Sequence, residues 1–395
     1  MNSCQNGPDS NEGIQPISLA DVLRFGLVES PQKHEFPQHV WRAFNAIMLC
    51  RTPALGGHHY RCSNCAKDHS TPHSCRNRHC PTCQGGQAYE WLKKQEESLL
   101  PIPYFHIIFT LPHGLNELIA HNQASLYKLL FDCANQTLLE FGRNRWNAQI
   151  GVTSILHTWG QTLYPHYHLH CIVTGGGLSF DGMSWKATKP YFCFPVKALS
   201  KVFRAKYLNG LQQLWDKGIL HCNLDLPKLL KKMVRRKWVV YAKRPFAGPQ
   251  QVLSYLSLYT HRVAISNGRI IALNKDDATV TFAYKDYVDK SRKKTMTLKV
   301  VEFLRRLSYH VIPKRFVKIR HYGILSHRNR KEKITIAREL LANDNSRKLV
   351  SANEPAAVAH QENEPTIPSC PYCGQHTLVL IAITRANSIR TFKPP

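Results

Sequence analysis

Acidic side chains are what this sequence has least of for its size. Among 395 residues there are 26 Asp and Glu against 53 Lys and Arg, a formal net charge of +27. That imbalance argues against cationic partners and suits a polyanion. The positive charge is spread along the chain rather than gathered in one tail. Nucleic acid is therefore the leading partner, with a membrane surface second. Long apolar runs are missing too. No stretch approaches the roughly 20 residues of a spanning helix, and no basic-then-apolar segment opens the chain. The expectation is a soluble, intracellular protein with no membrane partner. No internal repeat is visible. A disulfide framework is argued against by the cysteines themselves: there are 13, an odd number, and they cluster in C-x-x-C pairs of the kind that bind metal.

The first such cluster is Cys62/Cys65 followed by Cys80/Cys83, with the spacing C-x2-C-x14-C-x2-C. Each pair lets two thiolates converge on one tetrahedral ion, and four thiolates close a structural zinc site with no open position. Cys75, His69, His73 and His79 are extra ligand candidates, so an exchange of one ligand stays open. Arg76 and Arg78 lie on the same small ribbon and suit phosphate contact. Near the end, Cys370 and Cys373 form half a knuckle with His376 close by, and no second C-x-x-C follows.

The stretch with the most chemistry in it is Tyr164-Pro-His-Tyr-His-Leu-His-Cys-Ile-Val-Thr-Gly-Gly-Gly177. His166, His168 and His170 alternate, so on an extended strand their imidazoles form one row. The glycines are expected to end that strand. Two such histidines can hold a divalent ion from one flank, and a neighbour must supply a third ligand. The preceding run also alternates, with His157, Trp159 and Gln161 on one face. Either His157 or Gln161 completes the set.

Residues 17–27 and 37–50 read as amphipathic helices, 84–100 as a helix, and 105–111 as a strand. A long helix over 115–142 and two central strands over 150–174 follow. Then come a loop or hairpin over 178–194, a helix over 196–215, a short β-meander over 269–300 and a helix over 303–310. The order fits an α+β fold with helices over an antiparallel sheet. Residues 228–244 are densely basic, including Lys232, Arg235, Arg236 and Lys237. Trp238 and Tyr241 lie among the charges, an arrangement suited to single-stranded nucleic acid. Tyr255 and Tyr259 stand four apart after Pro249, so both hydroxyls leave one helical face. A tyrosine can attack a DNA phosphodiester and keep the 5′ phosphate as a covalent adduct, given a cation to stabilise the developing charge.

Three motifs in register resemble one known family. The Arg-Asn-Arg-His-Cys-Pro-Thr-Cys-Gln string ending at Gln84 is similar to the zinc-binding domain of transposases of the insertion sequence 91 family. His157-Thr-Trp-Gly-Gln161 with the histidine–hydrophobe–histidine at His168–His170 resembles its HUH region. Tyr255-Leu-Ser-Leu-Tyr-Thr-His-Arg262 resembles its two-tyrosine helix, with Leu258 a departure where a basic residue is expected.

The resemblance implies a bacterial, cytoplasmic DNA transposase, nucleoid-associated through DNA. It would cleave and rejoin single-stranded DNA by rolling-circle transposition, acting on the ends of its mobile element and on target DNA. It implies Tyr255 and Tyr259 as nucleophiles, Mg²⁺ or Mn²⁺ on His168 and His170 with Gln161 first choice and His157 second as third ligand, structural Zn²⁺, and Arg262 near DNA. The expected organisation is a helical N-terminus with a zinc ribbon over 1–100, an antiparallel-sheet HUH nuclease domain with flanking helices over 101–330, a basic segment and linker over 331–369, and a C-x-x-C tail over 370–395. The alternatives are a rolling-circle replication initiator or relaxase, or a non-enzymatic zinc-dependent DNA-binding protein.

Overall fold

Ser18 starts the first helix, α1 (Leu19–Arg24). Its hydroxyl accepts from the Asp21 amide while the Asp21 carboxylate accepts from the Ser18 amide, a reciprocal cap. In this computed structural model the described residues are 16–29, 35–84, 91, 95–189, 191, 193–221, 224–243, 251–252, 255, 262–343 and 369–385. Helix α2 (Gln38–Met48) buries Val40, Phe44, Ile47 and Met48, the stripe its spacing announces. A hairpin of β1 (Gly56–Cys62) and β2 (Asp68–Pro72) follows, then β3 (Tyr104–Thr110).

The long helical pattern that comes next is two helices, α3 (Asn116–His121) and α4 (Gln123–Trp146). Asn122 breaks it: its amide donates to the Leu118 and His221 carbonyls, and its side-chain oxygen accepts from the His221 amide. Those partners satisfy the chain outside regular helix geometry.

Strands β4 (Ala148–Trp159) and β5 (Pro165–Ser179) are the centre of the molecule, with β6 (Trp185–Ala187) hairpinned onto the end of β5. The glycines do not end β5, as the sequence led us to expect; they are inside it. A Cβ on Gly175 would stand 2.5 Å from the Pro103 carbonyl oxygen, and one on Gly177 would stand 2.8 Å from that of Gln149. Glycine here lets neighbouring backbone close in. Helices α5 (Val196–Asp216) and α6 (Leu226–Arg235) lead to β7 (Val239–Ala242). The meander is β8 (Ile270–Asn274), β9 (Thr279–Asp286) and β10 (Arg292–Lys299), followed by α7 (Val300–Ser308), β11 (Ile319–Gly323), α8 (Arg330–Asn343) and β12 (Leu378–Arg385).

The fold is α+β. Its six-stranded sheet is antiparallel at every pairing and runs β11-β4-β5-β3-β7, with β6 beside β5. Alternation sorts its residues onto two faces. Phe105, Ile107, Phe109, Leu156, Leu169 and Cys171 point into the largest core, against α4, α5 and α6. The opposite face carries Tyr104, His106, Ile155, His157, His168, His170 and Ile172. It is covered in part by Val252, Ile334 and Ala337. Residues 331–343, in the basic segment expected ahead of the linker, belong to helix α8, with its apolar side on the sheet; residues 344–368, where the linker is expected, lie outside the described residues. The meander and α7 pack with α1 and α2 around Phe44, Phe282 and Phe303. β12 pairs with β1 in a third sheet, ordered β12-β1-β2, so the C-terminal segment does not stand apart from the N-terminal ribbon.

Candidate metal and nucleophile site

Register brings the histidines together. His157 on β4 lies directly opposite His168 on β5, and His170 is two residues farther along the same face. One ring nitrogen from each of His157, His168 and His170 lies within 4.8 Å of the others. The ring centroids of His157 and His170 are 4.5 Å apart, and those of His168 and His170 are 4.8 Å apart. His168 Nδ1 donates to the His166 carbonyl oxygen at 2.8 Å, which leaves its Nε2 lone pair for a ligand. Burial pushes His168 down to about 3, helped by neighbouring His166 and by the Arg262 guanidinium. Burial also holds His170 far below the usual imidazole range, with His157 and His168 adding to it. The His168 and His170 rings are neutral near pH 7, the state in which imidazole binds metal.

Gln161, the first choice for third ligand, is not in this group. β4 stops at Trp159, and residues 160–164 turn back with the Gly160 amide donating to the Tyr164 carbonyl. The Gln161 side chain faces the meander instead: it accepts from the Lys285 amide at 3.3 Å and donates to the Tyr287 hydroxyl at 3.4 Å. His157, the second choice, occupies the place. His166 stands farther out, its Nδ1 3.0 Å from His113 Nε2.

A residue the sequence did not flag completes the arrangement. His106 on β3 lies opposite Ile172, one alternation along from His170 on the same face. Its Nε2 is 2.8 Å from His170 Nδ1 and 2.9 Å from the Tyr255 hydroxyl; that hydroxyl is 3.2 Å from His170 Nδ1. Burial lowers His106 to about 3, with Lys243 and His168 contributing. So a phenol from far along the chain touches a ring of the three-histidine group directly. A single histidine in an apolar strand carries no such message; only the pairing of β3 with β5 gives it one. Tyr259 lies outside the described residues.

The cysteines regroup. Cys62 and Cys65 are not joined by Cys80 and Cys83. Instead Cys50, Cys75, Cys80 and Cys83 form one four-sulfur cluster, and Cys62, Cys65, Cys370 and Cys373 form another. The reason is spatial: β1 carries Cys62 away from the loop holding Cys80 and toward β12, while the end of α2 brings Cys50 to that loop. Within the first cluster Cys50 Sγ and Cys83 Sγ are 3.4 Å apart, and Cys75 Sγ and Cys83 Sγ are 3.6 Å apart. A tetrahedron with metal–sulfur bonds of about 2.3 Å has edges of about 3.8 Å, so these sulfurs fit one zinc ion.

Of the basic residues expected at DNA, Arg76 is exposed on the loop of this first cluster and Arg262 is exposed close to His168. Arg78 is half-buried and donates to the Phe316 carbonyl, so part of its donor capacity is spent inside the fold. Lys232, Arg235, Arg236 and Lys237 are exposed at the end of α6 and just beyond. Trp238 is no stacking platform: it is 2 % exposed, donates to the Met233 carbonyl and packs on Phe203 and Tyr207. Tyr241 differs. It pairs with Ile108, which pairs with His170, so it lies on the histidine face of the edge strand, 55 % exposed.

Residues 151–333 match the family model described as "Putative transposase", and residues 26–111 match "Transposase zinc-binding domain". "Putative transposase y4qJ" of Sinorhizobium fredii (strain NBRC 101917 / NGR234) is 42% identical over 335 residues, 82% of this chain and 84% of that protein. "Transposase for insertion sequence element IS801" of Pseudomonas savastanoi pv. phaseolicola is 30% identical over 296 residues, 71% of this chain and 69% of that protein. Among solved structures, the conjugative relaxase TrwC in complex with mutant OriT DNA is 14% identical, with 38% of this chain and 71% of that chain covered. Its TM-score is 0.23.

Proposed function

This chain belongs to the insertion sequence 91 family of transposases, with an N-terminal zinc-binding domain, and we propose that it cleaves and rejoins single-stranded DNA through a phosphotyrosine in rolling-circle transposition. The observation that carries the reading is the Tyr255 hydroxyl, 2.9 Å from His106 and 3.2 Å from His170, at the edge of a three-imidazole group. A divalent ion held by His157, His168 and His170 would polarise the scissile phosphate and stabilise the charge that develops on it.

The chain's own residues do the rest. With His170 ligating through Nε2, its Nδ1–H donates to the phenol oxygen, and the phenol hydroxyl donates to His106 Nε2. Tyr255 Oη then bonds to phosphorus as the bond from phosphorus to the 3′ oxygen breaks. The phenol proton leaves by way of His106 Nε2 to solvent without resting there, and the 3′ oxygen takes a proton from solvent and leaves as a hydroxyl, so the proton count is unchanged. The phosphoester keeps the energy of the broken bond, so a 3′ hydroxyl attacking the same phosphorus reverses the step. Tyr259 would serve the second cleavage. Arg262, beside His168, and the exposed run at Lys232, Arg235, Arg236 and Lys237 would bind the strand's phosphates, with Arg76 on the ribbon. Zinc on Cys50, Cys75, Cys80 and Cys83 would hold the N-terminal ribbon in shape.

The donor set refines the ion. Three imidazoles with no carboxylate among the described members of the group suit manganese and later first-row metals better than magnesium. The test is direct. Incubate the protein with labelled single-stranded element ends and Mn²⁺, boil in detergent, and map any adduct. A DNA-linked peptide containing Tyr255, lost in Tyr255→Phe, is the expected result. No adduct on cognate ends, or one unchanged by Tyr255→Phe, overturns the assignment.

A further inference from the structure

A second set of four thiols joins two cysteines inside the zinc-binding-domain match over 26–111 to two far outside it. Cys370 and Cys373 meet Cys62 and Cys65 across 305 to 311 positions of sequence. Cys62 Sγ is 3.6 Å from Cys373 Sγ, and Cys65 Sγ is 3.7 Å from Cys370 Sγ. Both distances match the edge of a tetrahedral zinc–thiolate site, about 3.8 Å, and both are far from the roughly 2.05 Å of a disulfide. The backbone around the sulfurs is also shaped for a metal. Each C-x-x-C turns back on itself, with the Ala66 amide donating to the Cys62 carbonyl and the Gly374 amide donating to the Cys370 carbonyl. The Cys65 amide points at Cys62 Sγ, and Thr377 Oγ1 lies 3.1 Å from the same sulfur. Donors aimed at a sulfur stabilise it as thiolate, the form that binds zinc. A third feature is independent of the sulfurs: β12 runs antiparallel to β1 from Gly56 to Cys62, and the Ser63 amide donates to the Thr377 carbonyl. The two knuckles are therefore held face to face by strand pairing as well.

We propose that Cys62, Cys65, Cys370 and Cys373 bind a second structural zinc ion, which fastens the C-terminal knuckle and β12 onto the N-terminal ribbon. The C-x-x-C near the end is half of a site whose other half is at the beginning. Four thiols release their protons to solvent as the ion binds, and no oxidant or reductant is involved. The site has four protein ligands and no open position, so its work is to close the chain. Its consequence is an order of assembly: Cys62 and Cys65 cannot complete their coordination until the last part of the chain is present. In an unfolded chain the ends of so long a loop seldom meet, so the ion acts together with β1–β12 pairing rather than ahead of it.

The full chain, purified reduced and without added metal, is weighed by native mass spectrometry and its zinc counted by a colorimetric chelator. Two zinc ions per chain are expected. Cys370→Ser with Cys373→Ser should carry one, and its cobalt-substituted form should lose about half of the thiolate-to-cobalt charge-transfer absorbance. One zinc in the parent chain overturns the proposal. So does two in the double variant, or a parent mass lower by the hydrogens of one or two disulfides at these positions. Because the parent count needs no variant, a misfolded mutant cannot decide the matter. The count is also independent of DNA cleavage, so it can fail while the phosphotyrosine chemistry stands, or the reverse.

Discussion

At the scale of single residues, the site was readable where a period carries it. Alternation placed His168 and His170 on one face, and the structure keeps them there. The third position was not readable, because whether the period of β4 continues past Trp159 depends on a turn. Gly160 and Leu163, the latter at φ 60°, reverse the chain and send Gln161 to the meander. His106 was hidden for a different reason, since its partners come from strand register and not from spacing. The grouping of the cysteines is not legible from spacing, because C-x-x-C tells which two sulfurs share a knuckle and says nothing of which knuckles share an ion. The reassignment of the third ligand can be measured. His157→Ala should weaken Mn²⁺ binding, followed by calorimetry, by at least about tenfold, since one of three protein ligands is lost. Gln161→Ala should leave the affinity within about twofold. Equal losses from both, or a loss only at Gln161, would return the third ligand to the notion drawn from sequence.

At the scale of the element, the question is how a strand of DNA reaches the phenol. β7 ends the sheet path beside β3, so its outer edge is not paired to another strand among the described residues. Val239 and Tyr241 lie on the histidine side of β7, 57 % and 55 % exposed, and Lys243 follows at the end, close enough to lower His106 and His170. The basic end of α6 leads straight into this strand. On the proposed reading, an aromatic ring open to solvent between these cations and the histidine group would be placed to stack a base whose phosphate reaches the histidines. Base stacking on an aromatic contributes about 1–3 kcal/mol by alanine substitution. Tyr241→Ala should therefore weaken binding of cognate single strands roughly tenfold in a fluorescence titration. Adduct formation at saturating DNA should stay close to that of the parent, because Tyr241 touches neither Tyr255 nor its partners in the described contacts. An unchanged affinity would remove β7 from the DNA path. The sequence pointed to this stretch but to the wrong ring as well as the right one: Trp238 and Tyr241 both sit among the charges, and only the strand's parity shows that one faces the core.

At the scale of the whole molecule, three histidines, His310 buried and His79 and His321 half-buried, act as joints between parts of the chain. His79, on the ribbon, accepts from the Ile312 amide at 3.2 Å; burial pushes it down to about 3, with Lys318 and Arg78 adding to the effect. His310 donates from Nε2 to the Leu163 carbonyl at 2.9 Å, its Nδ1 lies 3.3 Å from the Thr158 hydroxyl, and burial lowers it to about 4. His321 on β11 has its Nδ1 3.0 Å from the Thr153 hydroxyl on β4, and burial again brings it to about 4. Each is therefore neutral when folded, while the unfolded chain titrates near 6.5. Such a group contributes its full stability above pH 6.5. Below that the unfolded state binds the proton first, and the contribution is lost as pH falls toward 4. For His310 the difference of about 2.5 units corresponds to roughly 3 kcal/mol, lost at about 1.4 kcal/mol per pH unit on the way down. Stability measured by urea unfolding should thus fall steeply from pH 6.5 to 5. His310→Gln, which keeps a donor but cannot take up a proton, should cost stability at pH 7.5 and flatten that slope by close to one proton. Acid would also protonate the cysteine clusters and release any zinc they hold, but that is common to parent and variant and cancels in their difference. A variant whose slope matches the parent's would show that His310 is already protonated in the folded chain, and its hydrogen bond to Leu163 would then have to be carried by an imidazolium.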